Sequence, residues 1–289
     1  MDMLDLFDDL SRGEQEFSRQ EIVKAPFGWP GGKSKSLEQI LPKLPYYKKY
    51  IEVFGGSGAV LLARSKSKFE VYNDRFGGVC DFYRCMSDPV LYKKLEERLH
   101  YIIHSRELFY LYHDTWENIL DIVERAARWY YLIIFSFAAK GKTFGRSLNT
   151  SMCSKHDTHL DAFPLIHKRL QGVLIENLDF RHVLSDFDSP DTVFYCDPPY
   201  IGTYNSSYKH EMSVEDHRDL LSCIFKCKGF VALSGYSNEL YDSYSWDNKY
   251  IWEQYVPTAT GACVDNHLSH ATERGHVKEV LWIKEAVHG

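Results

Sequence analysis

The stretch Val193-Phe194-Tyr195-Cys196-Asp197-Pro198-Pro199-Tyr200 restricts what this chain can fold into more than any other segment. Four apolar residues ahead of a turn signal read as a buried strand. The paired prolines end it, because neither has an N–H for a ladder or a helix. Asp197 and Tyr200 are thereby delivered to the carboxyl end of a strand, where open α/β sheets bind their ligands. An exocyclic amine on a nucleobase is a weak nucleophile, since its lone pair is delocalised into the ring. A carboxylate and a backbone carbonyl that accept its two hydrogens favour a pyramidal nitrogen, and Asp197 and the Pro198 carbonyl suit those places. Pro199 keeps the turn stiff, which matters where small misplacement is costly, and Tyr200 offers a ring for the base to stack on. The competing reading is a surface turn with Asp197 as an ordinary turn residue.

A length of 289 residues allows one large α/β domain with a smaller inserted or appended one, and 44% hydrophobic with 15% aromatic residues supports a packed core. The net charge of -6 argues against a generally basic coat, so any nucleic-acid contact must come from a local patch. Acidic residues crowd the start (Asp2, Asp5, Asp8, Asp9, Glu14, Glu16, Glu21), and residues 1–21 read as a flexible arm whose Leu4, Leu6, Phe7 and Leu10 suit docking on a partner. With no positively charged start before an apolar run and no stretch approaching a membrane span, a cytoplasmic protein is expected. The seven cysteines form no Cys-x-x-Cys pair and read as small buried hydrophobes. His267, His270 and His276 lack metal-ligand context, so no metal is expected.

The segment from Pro26 to Lys35 contains Gly31-Gly32-Lys33-Ser34, which invites a phosphate-loop reading. That motif requires glycine at position 27, which is Phe27. A Gly/Pro loop opening an amphipathic helix at Leu37, Ile40 and Leu41 also accounts for it. Six lysines against Glu38 alone between Lys24 and Lys49 suit a phosphate backbone. Tyr50 to Phe54 reads as a strand turned by Gly55-Gly56-Ser57-Gly58 into a helix from Ala59. A dinucleotide fingerprint fails there, because its third glycine falls on Leu61. Phe69 to Asp74 is a second strand whose terminal Asp74 suits ribose hydroxyls or a helix N-cap. Phe76 to Met86 reads as a helix, and Pro89 to about Ala139 as broken helix in which Ala126, Ala127, Tyr130, Tyr131, Ile134 and Phe135 form a core stripe. Lys140 to Asn149 reads as an exposed loop or hairpin. Through Arg169 the cations Lys140, Lys142, Arg146, Lys155, Lys168 and Arg169 oppose only Asp157 and Asp161, a pattern suited to phosphates or to a solvated face.

Further strands are expected at Val173 to Asn177 and Phe230 to Ser234, with an antiparallel pair at Ile251 to Val256 and Val277 to Ile283 joined by a loop containing Arg274. Ser213 caps a helix to Phe225, with Asp216 three residues on. Tyr204 and Lys209 lie in a polar loop suited to ordering around a flipped base. Phe180 is either core or part of a ligand pocket.

Asp197-Pro198-Pro199-Tyr200, the Trp29-Pro30-Gly31-Gly32-Lys33 segment, Glu52 to Ala59, and Leu178-Asp179-Phe180 together resemble the Dam-type (D12 class) S-adenosylmethionine-dependent DNA adenine N6-methyltransferases. The resemblance implies an α/β fold, a Rossmann-like methyltransferase mixed sheet with an inserted, mainly helical target-recognition domain. Residues 22–85 and 172–289 would form the catalytic domain and 86–171 the recognition domain. S-adenosylmethionine would be held by Trp29, Gly31, Lys33, Phe54, Gly55, Gly56, Asp74, Phe180 and Asp197. Catalysis would fall to Asp197, Pro198, Pro199 and Tyr200, acting on an adenine flipped from double-stranded DNA. Lys140, Lys142, Arg146, Tyr204, Lys209 and Arg274 would bind that DNA, the protein working as a monomer or weak dimer. The family's Asn-Arg start and Phe-Asn-Gly-Leu run are not recognisable in the insert, where Phe135 to Ala139 stands, so no target sequence carries over. A cytosine N4 amino-methyltransferase and a non-catalytic DNA-binding module remain alternatives. A cytosine C5 enzyme would need a Pro-Cys nucleophile that is absent, Cys196 lying inside the strand.

Overall fold

A computed structural model describes residues 22–146, 152–201, 212–255, 271–273 and 276–287. The acidic arm and Tyr204, Lys209, Cys263 and Arg274 lie outside the described residues. Among the described residues, eight strands form one sheet: β1 (Lys49–Glu52), β2 (Phe69–Asn73), β3 (Val173–Glu176), β4 (Thr192–Cys196), β5 (Phe230–Tyr236), β6 (Asn248–Tyr255), β7 (Ala271–Glu273) and β8 (His276–Lys284). Their order is β3-β2-β1-β4-β5-β8-β6, with β7 also paired to β8. The first five are parallel, and β8 runs antiparallel to both β5 and β6, so the sheet is mixed as expected.

The near-continuous apolar run of β4 follows from its place. All five of its residues are buried, because helices cover both faces of the sheet. Val193 and Tyr195 enter a buried cluster on one face, while Phe194 and Cys196 enter another on the opposite face. Chain order reverses at β1, which lies between β2 and β4. That switch point opens a crevice at the carboxyl ends of the two strands.

The first face is covered by α3 (Gly77–Ser87), α4 (Pro89–His100), α6 (Ile122–Ile134) and α8 (Phe163–Leu170), following the short α1 (Leu37–Ile40) and α2 (Ala59–Ala63). Helix α5 (Arg106–Thr115) and α7 (Met152–Asp161) complete that layer. The opposite face carries α9 (Phe180–Asp186), α10 (Val214–Ile224) and α11 (Glu239–Asp242). The broken helical region thus resolves into α4, α5 and α6. Asp88 accepts from the backbone N–H groups of Val90 and Leu91 ahead of Pro89 to start α4, and Asp121 caps α6. Ser213 and Asp216 form the expected capping box on α10. The aromatic stripe of α6 is core, with Tyr130, Tyr131 and Phe135 fully buried.

Leu95, Phe109, Trp129 and Phe163, from residues 86–171, share one buried cluster with Tyr50 and Tyr195 of the sheet. Arg169 departs from the exposed patch in which its sequence position set it. It pairs with Glu70 of β2 at 2.6 Å and donates to the Leu61 carbonyl, while Arg64 holds the other Glu70 oxygen at 3.2 Å. Glu70 is fully buried, and two guanidiniums with the Ser67 N–H replace the water it loses. Cys80, Cys85, Cys196 and Cys227 are buried as expected, but Cys153 and Cys223 are only half-buried. Among the described residues no helix is long and apolar enough to cross a membrane, and no side-chain cluster suits a metal ion.

Candidate active site

The turn after β1 is held by aromatic rings and one carboxylate. Gly56 sits at φ +49°, and a Cβ there would lie 2.7 Å from the Trp29 indole; at Gly55 it would lie 2.2 Å from the Tyr72 ring. Glycine is required at both positions because the rings occupy the space a side chain would need. Asp74, at the end of β2, accepts from the Gly56 and Phe76 N–H groups, each at 2.8 Å. It therefore ties the glycine turn to the neighbouring strand. Burial raises its pKa above the ordinary carboxylate value, although both N–H groups oppose the shift. Phe180 is buried at the start of α9, its ring 5.8 Å from that of Phe54. Asp179 caps that helix by accepting from the Arg181 N–H.

Lys33 links the first glycine segment to the end of β4. Its ammonium is 3% exposed and lies 2.8 Å from Asp197 Oδ1, while donating to the Gly31 carbonyl at 2.7 Å. Glu279 Oε1 is 4.0 Å away, and the Tyr200 ring centroid 4.9 Å. Burial works against the Lys33 charge, but the Asp197 and Glu279 carboxylates outweigh it and its pKa is raised. Burial raises Asp197, with Lys33 and the Tyr200 hydroxyl pulling the other way. The Tyr200 hydroxyl stands 3.2 Å from Asp197 Oδ1 and 3.2 and 3.0 Å from the two Glu279 oxygens. The ring meets Tyr236 edge-on at 4.5 Å. Asp197 Oδ2 carries no hydrogen bond among the described residues, so Lys33 and Tyr200 engage one oxygen of the pair.

Two buried carboxylates of this crevice went unassigned by the sequence reading. Glu279 has the parity of Val277, Leu281 and Ile283 in β8, a strand whose other parity, with Val280 and Trp282, is buried as well. A carboxylate on an otherwise apolar parity was the available signal. Glu52 ends β1, accepts from the Tyr50 hydroxyl at 2.9 Å, and is pushed by burial up to about 8.

Lys140, Lys142 and Arg146 occupy a tight loop closed by hydrogen bonds from Phe137 N–H to the Thr143 carbonyl and from Gly145 N–H to the Phe135 carbonyl. Lys142 and Arg146 are exposed and Lys140 is half-buried. Ala138 and Ala139 adopt left-handed φ values of 55° and 54°, which is costly for residues with a Cβ. A Cβ on Gly28 would meet Ala139 at 3.6 Å, so the loop lies beside the segment that carries Trp29 and Lys33.

The sequence matches the family of D12 class N6 adenine-specific DNA methyltransferases over residues 29–261. The chain belongs to that family. Membership accounts for the mixed sheet and implies a methyl donor. The D12 match contains Trp29, Lys33, Asp74, Phe180 and Asp197, whereas Glu279 lies beyond its end. The chain is similar to the type II methyltransferase M.FokI of Planomicrobium okeanokoites, 26% identical over 90% of this chain and 42% of that protein. It is 26% identical to the DNA N-6-adenine-methyltransferase of Escherichia phage P1, over 71% of this chain and 28% of the phage protein. The modification methylase StsI of Streptococcus sanguinis is 27% identical over 65% of this chain and 31% of its own length. This D12 chain spans less than half the length of these curated relatives.

Proposed function

We propose that this protein transfers a methyl group from S-adenosylmethionine to the 6-amino nitrogen of an adenine flipped out of double-stranded DNA. The observation that carries the reading is Asp197, at the carboxyl end of the central strand. Lys33 and Tyr200 engage Oδ1, and Oδ2 bears no hydrogen bond among the described residues. An amine hydrogen needs such an acceptor, and the stiff Pro198-Pro199 turn holds a carbonyl beside it. The charge of the crevice suits the cofactor. The Asp197 carboxylate favours the positive sulfonium, and Asp74 at the glycine turn suits ribose hydroxyls.

When bound, S-adenosylmethionine supplies the methyl group, its C–S bond breaking as the N6–C bond forms. Trp29, Gly31, Lys33, Phe54, Gly55, Gly56, Asp74, Phe180 and Asp197 would hold it. Asp197 Oδ2 and the Pro198 carbonyl orient the amine, and Tyr200 stacks on the base. The raised pKa of Asp197 makes it a better base than an exposed carboxylate for the proton that nitrogen must shed. Most of the acceleration comes from orientation, and no covalent nucleophile takes part. In the same reading, residues 22–85 with 172–289 perform the transfer and residues 86–171 read the DNA. Lys140, Lys142, Arg146, Tyr204, Lys209 and Arg274 contact phosphates or base edges, and the enzyme works on DNA in the cytoplasm.

Nucleoside mass spectrometry of mixed-sequence duplex DNA incubated with the protein and S-adenosylmethionine tests the reading. 6-Methyladenine is the expected product. 4-Methylcytosine would overturn the base assignment, and an unmodified digest would overturn the activity.

A further inference from the structure

The Tyr200 hydroxyl has one hydrogen and three carboxylate oxygens within 3.2 Å, one from Asp197 and two from Glu279. The oxygen that receives it sets how much negative charge Asp197 keeps. A hydrogen bond donated into Asp197 Oδ1 withdraws charge from the whole carboxylate and weakens Oδ2 as an acceptor for an incoming amine. A bond donated to Glu279 leaves Asp197 with Lys33 as its side-chain donor among the described residues. The shortest of the three distances, 3.0 Å, runs to Glu279 Oε2. Glu279 is 4% exposed and is held in register by β8, which pairs with β5 through Tyr236↔Glu279. The strand pair that aligns Glu279 with Tyr236 thus also sets the aromatic neighbour of Tyr200.

We infer that Glu279 is a positioning residue for methyl transfer: it accepts the Tyr200 phenol hydrogen, fixes that ring at the crevice, and leaves Asp197 Oδ2 as a full-strength acceptor for the substrate amine. The inference rests on the proposed transfer to an amino nitrogen. Glu279 touches neither base nor cofactor in this scheme and acts chiefly through Tyr200, at 3.0 Å, its contact with the Lys33 ammonium being the longer one at 4.0 Å. Its loss therefore lowers the transfer step and leaves substrate binding near its wild-type level.

The test is a double-mutant cycle of Glu279→Gln and Tyr200→Phe, assayed by methyl incorporation at saturating S-adenosylmethionine and DNA. The amide introduced by E279Q keeps the shape and an acceptor oxygen but offers only a neutral bond, roughly half as strong as a charged one. E279Q is expected to lower kcat about three- to tenfold with KM for DNA within about threefold. In the Y200F background the same substitution should lower kcat by less than about twofold, because the donor through which it chiefly acts is gone. A folded E279Q enzyme with wild-type kcat would overturn the inference, as would an equal loss in both backgrounds. If E279Q does not fold, Glu279→Asp keeps the charge but not the reach, and an undiminished kcat in that variant overturns the inference. A second readout needs no turnover. The 13C resonance of the Tyr200 phenol carbon is expected to move in E279Q and to stay in place in Glu52→Gln, which replaces a carboxylate that does not touch Tyr200. An unmoved resonance in E279Q would overturn the inference. Absence of methylation by the wild-type protein, with the resonance shift present, would instead overturn the proposed reaction.

Discussion

Asp197 combines burial, a cationic partner and an oxygen with no hydrogen bond among the described residues, and this combination distinguishes it from an ordinary turn aspartate. Asp197→Ala is expected to slow methyl transfer by about a hundredfold or more, while S-adenosylmethionine affinity stays within about tenfold. Stopped-time methyl incorporation beside a cofactor titration separates the two effects, and wild-type turnover would remove Asp197 from its role. Glu52 yields a prediction of a different kind. Its folded pKa of about 8 stands above the ordinary value of 4.5, so the native state keeps this proton where the unfolded chain has lost it. The stability it contributes is present below the unfolded value and is lost as pH rises through the window up to about 8. Glu52→Gln cannot ionise. Its stability should therefore gain on wild type between about pH 5 and 8, approaching about 1.4 kcal/mol per pH unit, as denaturant midpoints across that range would show. Parallel pH profiles for the two proteins would contradict the burial of an ionisable Glu52. Residue identity pointed to Asp197, Lys33 and Asp74 before any coordinates. The partnership of Lys33 with Asp197 was not readable, since nothing in either local pattern specifies the other.

At the scale of elements, β4 and its proline stop were legible because a strand covered on both faces reads as a near-continuous apolar run, here Val193 to Cys196. The glycine turn after β1 was legible as a turn. Its reason is tertiary: the rings of Trp29 and Tyr72 fill the space where side chains at Gly56 and Gly55 would stand. The stretch from Lys140 to Asn149 was expected to be an exposed loop or hairpin; its described part, to Arg146, is a loop that exposes Lys142 and Arg146 and half-buries Lys140, and the sequence held no sign that Ala138 and Ala139 take left-handed conformations or that Gly28 lies alongside. Replacing Lys140, Lys142 and Arg146 together with Ala is expected to weaken DNA binding and reduce the slope of log affinity against log salt by about 2 to 3, close to one unit per lost phosphate contact. Fluorescence anisotropy across a salt series measures that slope. An unchanged value would place the loop outside the DNA interface.

On the scale of the whole molecule, residues 86–171 share their buried cluster with the sheet, and Arg169 at the end of α8 is bonded to Glu70 inside it. Arg169→Met would leave the fully buried Glu70 with Arg64 and the Ser67 N–H, at an expected cost of about 3 kcal/mol. Urea unfolding of the variant reads the cost directly; a loss below about 1 kcal/mol would mean that Arg64 and Ser67 suffice. Charge counting along the chain had grouped Arg169 with exposed cations, because sequence adjacency carries no information about which side of a helix meets the sheet. The sequence by itself determined the main strands, the helix cap at Ser213, the glycine turns and the Asp-Pro-Pro-Tyr end of β4. Each of these depends on residues within a few positions of one another, through the two-residue period of a strand, the 3.6-residue period of a helix, or local hydrogen bonding. The tertiary structure alone decided that β8 enters between β5 and β6, and that Glu279 consequently reaches Tyr200 and the Lys33–Asp197 pair. Strand order and register are set by the packing of the assembled core, and only there do side chains distant in sequence come to share one hydrogen and one buried charge.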